Sequence, residues 1–338
     1  MTPPEKAIAA LLAHAGMPGG LTLEPIEGGA NNRVYRVHTP SGPALLKAYF
    51  RHPADPRDRL GTEFGFLAFA WDNGVRSVPR PLARDDGEAL GLYEWIDGRH
   101  LTEADVAGEA VQAVAALCGE LNRHRERPEA ARLGPASEAC FTLAAHLALV
   151  DRRLDRLAAV EEPEVRAFAV DELAPFWARA RADLLVVAAA RGLDPARELG
   201  PAERCLSPGD LGFHNALARP SGEICFLDFE YAGWDDPAKM IANFFCMPEL
   251  GAGMEHWDVF AGGALASHTR AEAAEERARL VLPAHRARWA CIMLNEFLPT
   301  EAERRRFAFG ADEAERRKAE QLAKARRALD GAAASMPR

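Results

Sequence analysis

The sequence predicts an α+β protein with two lobes, a small β-rich N-terminal lobe and a large helical C-terminal lobe. A chain of 338 residues is long enough to form two cores. About the first hundred residues contain short β-forming segments separated by turn signals, whereas alanine-rich amphipathic helical patterns dominate from about Thr102 onward. The change lies between Glu94 and Thr102, so we expect the lobes to span residues 1–96 and 97–338.

In the N-terminal lobe the sequence predicts a small sheet with one inserted helix, preceded by a short helix at the start of the chain. Val34–Val37 and the segment ALLKAYF are β-forming, and Thr39–Gly42 between them is typical of a hairpin turn. Apolar residues recur at helical spacing between Arg57 and Asn73, which predicts the helix. Two further short strands are expected on either side of Asp85-Asp86-Gly87.

The C-terminal lobe is expected to be mainly helical. Helices are predicted over 102–125, 137–158, 164–190 and again from about 237 to 330. Strand signals return only around residues 205–230, where the apolar run ICFLDF predicts a buried strand that ends at Asp228. Asp236 before Pro237 is typical of a helix N-cap.

Composition and charge indicate a soluble globular protein. The chain is 48% hydrophobic and 27% charged, and its formal net charge is −9. This charge argues against binding to the phosphate backbone of nucleic acids and permits a cationic or metal-bridged substrate.

Cysteine spacing and hydropathy bear on the cellular location. The six cysteines are widely spaced and form no CxxC pair, which favours reduced thiols in a cytoplasmic protein. The longest aliphatic run, LLVVAAA at 184–190, is far shorter than a membrane span, and the N-terminus lacks a signal-peptide pattern. We expect a cytoplasmic monomer or homodimer that binds neither membranes nor nucleic acids.

Three polar residues around the segment LSPGDLGFHNAL (206–217) indicate phosphoryl-transfer chemistry. Asp210 and Asn215 are five residues apart, and Asp228 follows thirteen residues later. Phosphoryl transfer requires a carboxylate that orients or deprotonates the attacking hydroxyl, together with an amide and a second carboxylate that bind Mg²⁺. The sequence supplies these groups in this order.

The N-terminal lobe contains residue types that suit the binding of a nucleotide. Gly28 and Gly29 lie in the segment GGANN between two strand-like segments, where backbone N–H groups can approach phosphates. Lys47 lies in an apolar strand and needs an anionic partner. Glu63, on the following helix, is predicted to pair with Lys47 and to direct it towards the phosphates.

These motifs resemble the aminoglycoside phosphotransferase and choline kinase family, which has a protein-kinase-like fold. The resemblance covers approximately residues 20–300. GGANNRVYRV is similar to the family's glycine-rich loop, with Asn31 where Ser or Thr is commoner, and PGDLGFHN stands where the family has HGD-x4-N. LDFEYAGWDDPAKMIANFF is similar to a choline and ethanolamine kinase segment that continues into an Asp- and Asn-bearing helix.

The resemblance implies ATP and Mg²⁺ as cofactors and a small-molecule hydroxyl acceptor. It also implies roles for particular residues: Asp210 as catalytic base, Asn215 and Asp228 as metal ligands, Lys47 and Glu63 as the nucleotide-positioning pair, Gly28, Gly29, Asn31 and Asn32 in the glycine-rich loop, and Glu94 to Ile96 of GLYEWIDG as the hinge along the adenine edge.

One residue departs from the family pattern. The histidine two positions before the catalytic aspartate is Pro208 here, and we expect proline to stiffen the same turn because it fixes φ near −65°. His214, next to Asn215, is expected to pack or hydrogen-bond within the loop.

The acceptor site is expected near Glu230, Tyr231 and Trp234. Glu230 has three interpretations: a ligand of a second Mg²⁺, an acceptor contact, or a local pair with Arg or Lys. An aromatic cage for a quaternary ammonium group, formed by Tyr231, Trp234, Trp257 and Trp289, stands against the simpler interpretation that these rings are core residues.

Two other functions compete with a small-molecule kinase acting on amino alcohols, aminoglycosides or sugars. A nucleotide-binding pseudokinase with a regulatory role is compatible with the missing histidine. A hydrolytic metal site formed by His214, Asp228 and Glu230 would need further ligands.

Overall fold

The computed structural model describes residues 3–26, 31–53, 55–158, 160–309 and 311–334, a few of them in the last two helices by their backbone alone. A five-stranded antiparallel sheet forms the N-terminal lobe, as predicted. Its strands are β1 (Thr22–Ile26), β2 (Arg33–Thr39), β3 (Gly42–Ala48), β4 (Pro81–Asp85) and β5 (Leu90–Glu94). They are arranged in the order β1-β2-β3-β5-β4.

The two faces of the N-terminal sheet pack against different helices. Helix α1 (Glu5–His14) buries Ile8 and Leu12 against one face, where Leu46 of β3 lies. Helix α2 (Arg59–Asp72) covers the opposite face, where Tyr93 of β5 lies. Successive residues of a strand point to opposite faces, so Lys47, next to Leu46, faces α2.

The described part of the C-terminal lobe is helical, with five short strands. Its helices are α3 (Gly108–Arg123), α4 (Leu143–Leu157), α5 (Pro163–Ala167), α6 (Ala174–Ala190), α7 (Pro237–Phe244), α8 (Trp257–Ala264), α9 (Ala271–Met293), α10 (Pro299–Phe309) and α11 (Ala311–Ala334). Its strands are β6 (Arg99–His100), β7 (Cys205–Ser207), β8 (Ala216–Ala218), β9 (Ile224–Phe226) and β10 (Gly233–Asp235). Strand β7 pairs with β10, and β6, β8 and β9 form a three-stranded sheet. None of the described helices combines the length and apolar character needed to cross a bilayer.

Several predicted boundaries are wrong by a few residues because side chains cap the backbone locally. The helix expected from residue 102 begins at Gly108, since Thr102 and Asp105 close a separate 3₁₀ turn. The helix expected from residue 137 begins at Leu143, where the Thr142 hydroxyl accepts a hydrogen bond from the Ala145 N–H. The predicted N-cap at Asp236 is confirmed, because its carboxylate accepts from the Ala238 N–H at 2.7 Å.

The predicted strand ICFLDF is also shorter than expected. It ends at Phe226, two residues before Asp228. Asp228 has a φ of 65°, a left-handed conformation that a strand cannot contain and that is uncommon for residues other than glycine. The chain therefore turns at Asp228.

A buried polar cluster joins α4, the N-terminus of α7 and α9. His146 lies 3.1 Å from the Asp236 carboxylate through Nε2 and 3.0 Å from His285 Nε2 through Nδ1. Arg277 is 3.3 Å from the same carboxylate. Burial disfavours the charge on His146, but Cys140 and Asp236 outweigh that effect and raise the pKa of His146 to about 9. Burial and the charge of His146 lower the pKa of His285, so the cluster contains one charged and one neutral imidazole.

This cluster predicts that stability falls as the pH rises above neutrality. A folded-state pKa near 9 exceeds the unfolded value of about 6.5, so the contribution of His146 is complete below pH 6.5 and is lost as the pH rises towards 9. Between pH 6.5 and 8 we expect the free energy of unfolding to fall by about 1.5 kcal/mol more in the wild type than in His146→Gln. Urea unfolding at several pH values measures this, and parallel curves would contradict the assignment.

Candidate active site

Lys47 lies at the centre of the candidate site and joins the two lobes. Its ammonium nitrogen is 2.9 and 2.8 Å from the two carboxylate oxygens of Glu63, so the predicted contact is present. The same nitrogen is 2.9 Å from Oδ1 of Asp228, which follows β9 in the C-terminal lobe. Burial opposes the charge, but the carboxylates of Asp228 and Glu63 outweigh it and hold the pKa of Lys47 well above its usual value. The lysine is therefore charged at every physiological pH.

Two tyrosines that the sequence analysis missed fix the orientation of Glu63. The Tyr49 hydroxyl donates a hydrogen bond to Glu63 Oε2 at 2.6 Å and lies 2.7 Å from the Tyr93 hydroxyl. The backbone N–H of Phe229 donates to the other carboxylate oxygen at 3.3 Å. A signal was present in the sequence, because Tyr49 stands two residues after Lys47 and alternation places both on one face.

The loop between β7 and β8 brings Asn215 close to both aspartates. The Asn215 side-chain amide donates to the backbone carbonyl of Asp210 at 3.0 Å. The backbone carbonyl of Asn215 accepts a hydrogen bond from the N–H of Leu227 at 2.8 Å. Leu227 directly precedes Asp228, so this bond ties Asn215 to the segment that carries Asp228. The conformation of Asp228, described above, turns its carboxylate towards Lys47. Hydrogen bonds thus connect Asn215 both to Asp210 and to the residue before Asp228.

The environment of Asp210 favours its ionised form. His214 Nε2 is 3.6 Å from Asp210 Oδ2, so the sequence expectation of a contact within the loop is met. Burial alone would raise the pKa of Asp210. The opposing effects of His214, the positive charge of Arg288 and the Asn215 amide hold that pKa below its usual value. A carboxylate at this position can accept a proton or a hydrogen bond from a hydroxyl group at neutral pH.

The turn containing Pro208 is well formed. Gly209 has a φ of 84°, and a Cβ atom there would lie 2.5 Å from the Tyr231 carbonyl oxygen, so only glycine fits. The Ser207 hydroxyl accepts from the Gly209 N–H at 3.2 Å. The side chain of Asn122 on α3 bonds both backbone groups of Leu206, at 2.9 and 2.8 Å, and so fixes the strand that leads into the turn.

Glu230 contacts the N-terminal lobe. Its two carboxylate oxygens accept hydrogen bonds at 2.6 Å from the side-chain amides of Asn31 and Asn32. Asn31 also donates to the Tyr231 hydroxyl at 3.0 Å, and Arg59 lies 3.7 Å from Glu230. Of the three interpretations of Glu230, these contacts come closest to the local ion pair.

Glu94 and Ile96, the residues predicted along the adenine edge, lie at the end of β5 and just after it. Gly28 and Gly29 are outside the described residues. The backbone N–H of Glu94 donates to the Arg80 carbonyl at 2.8 Å, and the Glu94 carboxylate accepts from the Arg80 N–H at 3.1 Å. Ile96 is buried two residues further on, after the strand has ended.

The four aromatic residues considered for a cage are not stacked on one another in the described part of the chain. Trp257 is buried against Phe245, as the core interpretation predicts. The indole N–H groups of Trp234 and Trp289 donate to the Ala130 carbonyl and to the Asn243 side chain, respectively. The Tyr231 ring faces the guanidinium groups of Arg57 and Arg59.

The oxygen donors of this region suit Mg²⁺ that is held together with a nucleotide. Mg²⁺ usually binds to one or two carboxylates plus substrate phosphates and water. Asp228 and Asn215 supply one carboxylate and one amide oxygen, and a backbone hydrogen bond from Leu227 to Asn215 links the segments that carry them. Among the described residues no cluster of three or more His, Cys, Asp or Glu side chains suits a metal ion.

Comparison with known proteins identifies the family. The sequence model of the phosphotransferase enzyme family matches residues 22–252, which is more than half of the chain. No curated protein sequence matches significantly. The protein belongs to the phosphotransferase enzyme family.

Solved structures with a similar fold include kinases of choline and of antibiotics. Choline kinase LicA from Streptococcus pneumoniae is 14% identical, with a TM-score of 0.60 over 97% of this chain and 99% of that one. A choline/ethanolamine kinase family protein from Mesorhizobium loti is 16% identical, with a TM-score of 0.59 over 98% of each chain. A spectinomycin phosphotransferase solved with ADP and spectinomycin is 12% identical, with a TM-score of 0.56 over 98% of each chain. At these identities the similarity concerns the fold, and it confirms the predicted two-lobed kinase-like architecture.

The contacts of Glu230 predict a large contribution to stability. Glu230→Ala removes a buried carboxylate that accepts hydrogen bonds from two asparagine amides and lies 3.7 Å from a buried arginine, so we expect a loss of about 3 kcal/mol. Glu24→Ala is the control, because Glu24 pairs with His38 on the surface and its loss should cost less than about 1 kcal/mol. Chemical unfolding measures both, and equal effects would contradict the assignment.

Proposed function

We propose that the protein is a cytoplasmic, Mg²⁺-dependent kinase that transfers the γ-phosphate of ATP to a hydroxyl group of a small molecule. The observation that carries this proposal is the contact of Lys47 with both Glu63 and Asp228, next to a loop that presents Asp210 and Asn215. The candidate acceptors are amino alcohols, aminoglycosides and sugars.

The proposed nucleotide site lies between an N-terminal lobe of residues 1–96 and a C-terminal lobe of residues 97–338. Lys47 would bind the α- and β-phosphates, and Glu63 would keep it directed into the cleft. Asn31 and Asn32 would border the phosphates at the end of the glycine-rich segment. The adenine edge would lie along Glu94 to Ile96, where the Glu94 N–H already bonds to Arg80, so the groups beyond it would contact the base.

In the proposed reaction Asp210 orients the acceptor hydroxyl for in-line attack and accepts its proton. Its lowered pKa keeps it ionised for this purpose. Asn215 and Asp228 would hold Mg²⁺, which neutralises negative charge on the phosphates when it is bound. Because Asn215 also bonds the Asp210 backbone, the residue that holds the metal and the residue that holds the acceptor are mechanically linked.

Glu230 and Tyr231 both contact the Asn31 amide, which supports a role for them in holding Asn31. The indole N–H of Trp234 bonds to Ala130. We therefore propose that the acceptor is bound mainly by other residues near Asp210.

A regulatory pseudokinase remains the competing function, although such a protein usually lacks one of the residues Lys47, Glu63, Asp210, Asn215 and Asp228.

A γ-phosphate transfer screen over amino alcohols, sugars and aminoglycosides tests the proposed function. With an accepted substrate, Asp210→Ala should lower turnover by about 10²–10⁴-fold while the affinity for Mg·ATP changes little. Asp228→Ala should weaken both turnover and Mg·ATP binding, because it removes the carboxylate that would hold the metal.

The control is Asp86→Ala, which removes an exposed carboxylate from the β4–β5 turn and should leave both quantities unchanged. Wild-type turnover in Asp210→Ala would overturn the assignment of the base. Tight ATP binding with no transfer to any acceptor would favour the pseudokinase.

A further inference from the structure

The carbonyl group that precedes Asp210 is held by a side chain from helix α7. The amide nitrogen of Asn243 donates to the Gly209 carbonyl at 3.2 Å. Asn243 is 6% exposed, so water does not readily replace this hydrogen bond. The contact spans 34 residues of sequence and connects the helix after the Asp228 segment to the turn that contains Pro208.

Two donors from helix α9 determine how the Asn243 amide is oriented. The Arg288 guanidinium and the Trp289 indole N–H both donate to Asn243 Oδ1, at 2.9 and 2.8 Å. A carbonyl oxygen accepts two hydrogen bonds, whereas the NH₂ group accepts none. The oxygen must therefore face α9, and the NH₂ group must face Gly209.

Arg288 is itself anchored. Its guanidinium donates to Glu138 Oε2 at 2.9 Å, and Arg153 on α4 donates to both oxygens of Glu138 at 2.7 Å. This chain of contacts fixes Asn243 relative to α4 and α9, which form the body of the C-terminal lobe.

Holding the Gly209 carbonyl also determines where the Asp210 side chain begins. The carbonyl of Gly209 and the backbone nitrogen and Cα of Asp210 belong to one planar peptide unit. A rotation of this plane would move the Asp210 carboxylate. Steric contact with Tyr231 blocks a side chain at Gly209. The Asp210 N–H, at the other end of the peptide plane, donates to the Pro208 carbonyl at 3.2 Å, which is a bond within the turn itself. Asn243 adds the side-chain bond that ties this plane to the body of the C-terminal lobe.

We propose that Asn243 is a positioning residue for phosphoryl transfer, which sets the direction of the Asp210 carboxylate through the Gly209–Asp210 peptide and is oriented by Arg288 and Trp289. This inference rests on the proposed function, because Asp210 is the base in that reaction. Asn243 touches the loop backbone and not the reacting atoms, so its removal should affect kcat far more than the KM for ATP.

The most direct variant is Asn243→Asp, which keeps an acceptor for Arg288 and Trp289 but removes the donor to Gly209. We expect kcat to fall by about 10–10²-fold, as for other small displacements of a catalytic group, with KM for ATP within about threefold of wild type. Asn243→Ala adds no charge and should show the same split. Wild-type kcat in both variants, or equal changes in kcat and KM, would overturn the proposal.

Trp289→Phe tests whether α9 acts through Asn243. It removes one donor while retaining an aromatic ring, and we expect kcat to fall by about two- to tenfold. Combined with Asn243→Ala it should cause no additional loss, since the residue it orients is absent. Multiplicative effects in the double variant would contradict the coupling. Trp71→Phe is the matched control, because Trp71 also donates through its indole N–H, to Val78 in the N-terminal lobe.

Hydrogen exchange separates failure of this inference from failure of the proposed function. Peptides covering 208–216 should exchange faster in Asn243→Asp than in wild type, while peptides of α4 and α9 remain protected. If the wild type transfers no phosphate but this change occurs, the proposed function fails and the contact to the loop is upheld. Unchanged exchange in 208–216 would overturn the inference whether or not the wild type is active.

Discussion

The contact of Lys47 with two carboxylates is the interaction on which the rest of the site depends. Glu63 and Asp228 come from different lobes, and a buried ammonium group between them holds both at hydrogen-bond distance. A buried charge without partners is very unfavourable, so β3, α2 and the segment after β9 must meet at this point. The relative position of the lobes in this structure is therefore coupled to the residues proposed to bind nucleotide and metal.

A second set of contacts connects the lobes, and it lies two residues from the first. The Glu230 carboxylate accepts hydrogen bonds from the Asn31 and Asn32 amides, just as the Asp228 carboxylate accepts one from the Lys47 ammonium group. The segment from Asp228 to Tyr231 thus contacts Asn31 and Asn32, β3 and α2. The backbone carbonyl of Tyr231 also packs against Gly209 in the loop that contains Asp210. One short segment relates the proposed phosphate, metal and base positions to one another.

Sequence reasoning predicted the lobes, the N-terminal sheet and the Lys47–Glu63 pair because these follow from periodicity and from motifs with fixed spacing. Sequence reasoning placed the end of β9 at Asp228, two residues too far. The left-handed φ of Asp228 ends the strand early, and amino-acid composition does not reveal such a φ at a residue other than glycine. The supports of the site also escaped prediction. Asn243, Arg288 and Trp289 meet near Gly209 only through helix packing, and Tyr49 contacts Glu63 only because α2 crosses the sheet at that strand. Sequence reasoning did not select one acceptor for the same reason, because specificity depends on how the helices pack.

A crystal structure with Mg²⁺ and a non-hydrolysable ATP analogue tests the central claim most directly. The analogue should lie between the lobes, and Asp228 and Asn215 should bind the metal. Lys47 should retain its hydrogen bonds to Glu63, while its contact with Asp228 is replaced by contacts with phosphate oxygens. The anionic phosphates supply the new partner that a buried lysine requires. An analogue bound elsewhere, or bound in the cleft while Lys47 still contacts Asp228 and no metal contacts Asp228 or Asn215, would contradict the claim.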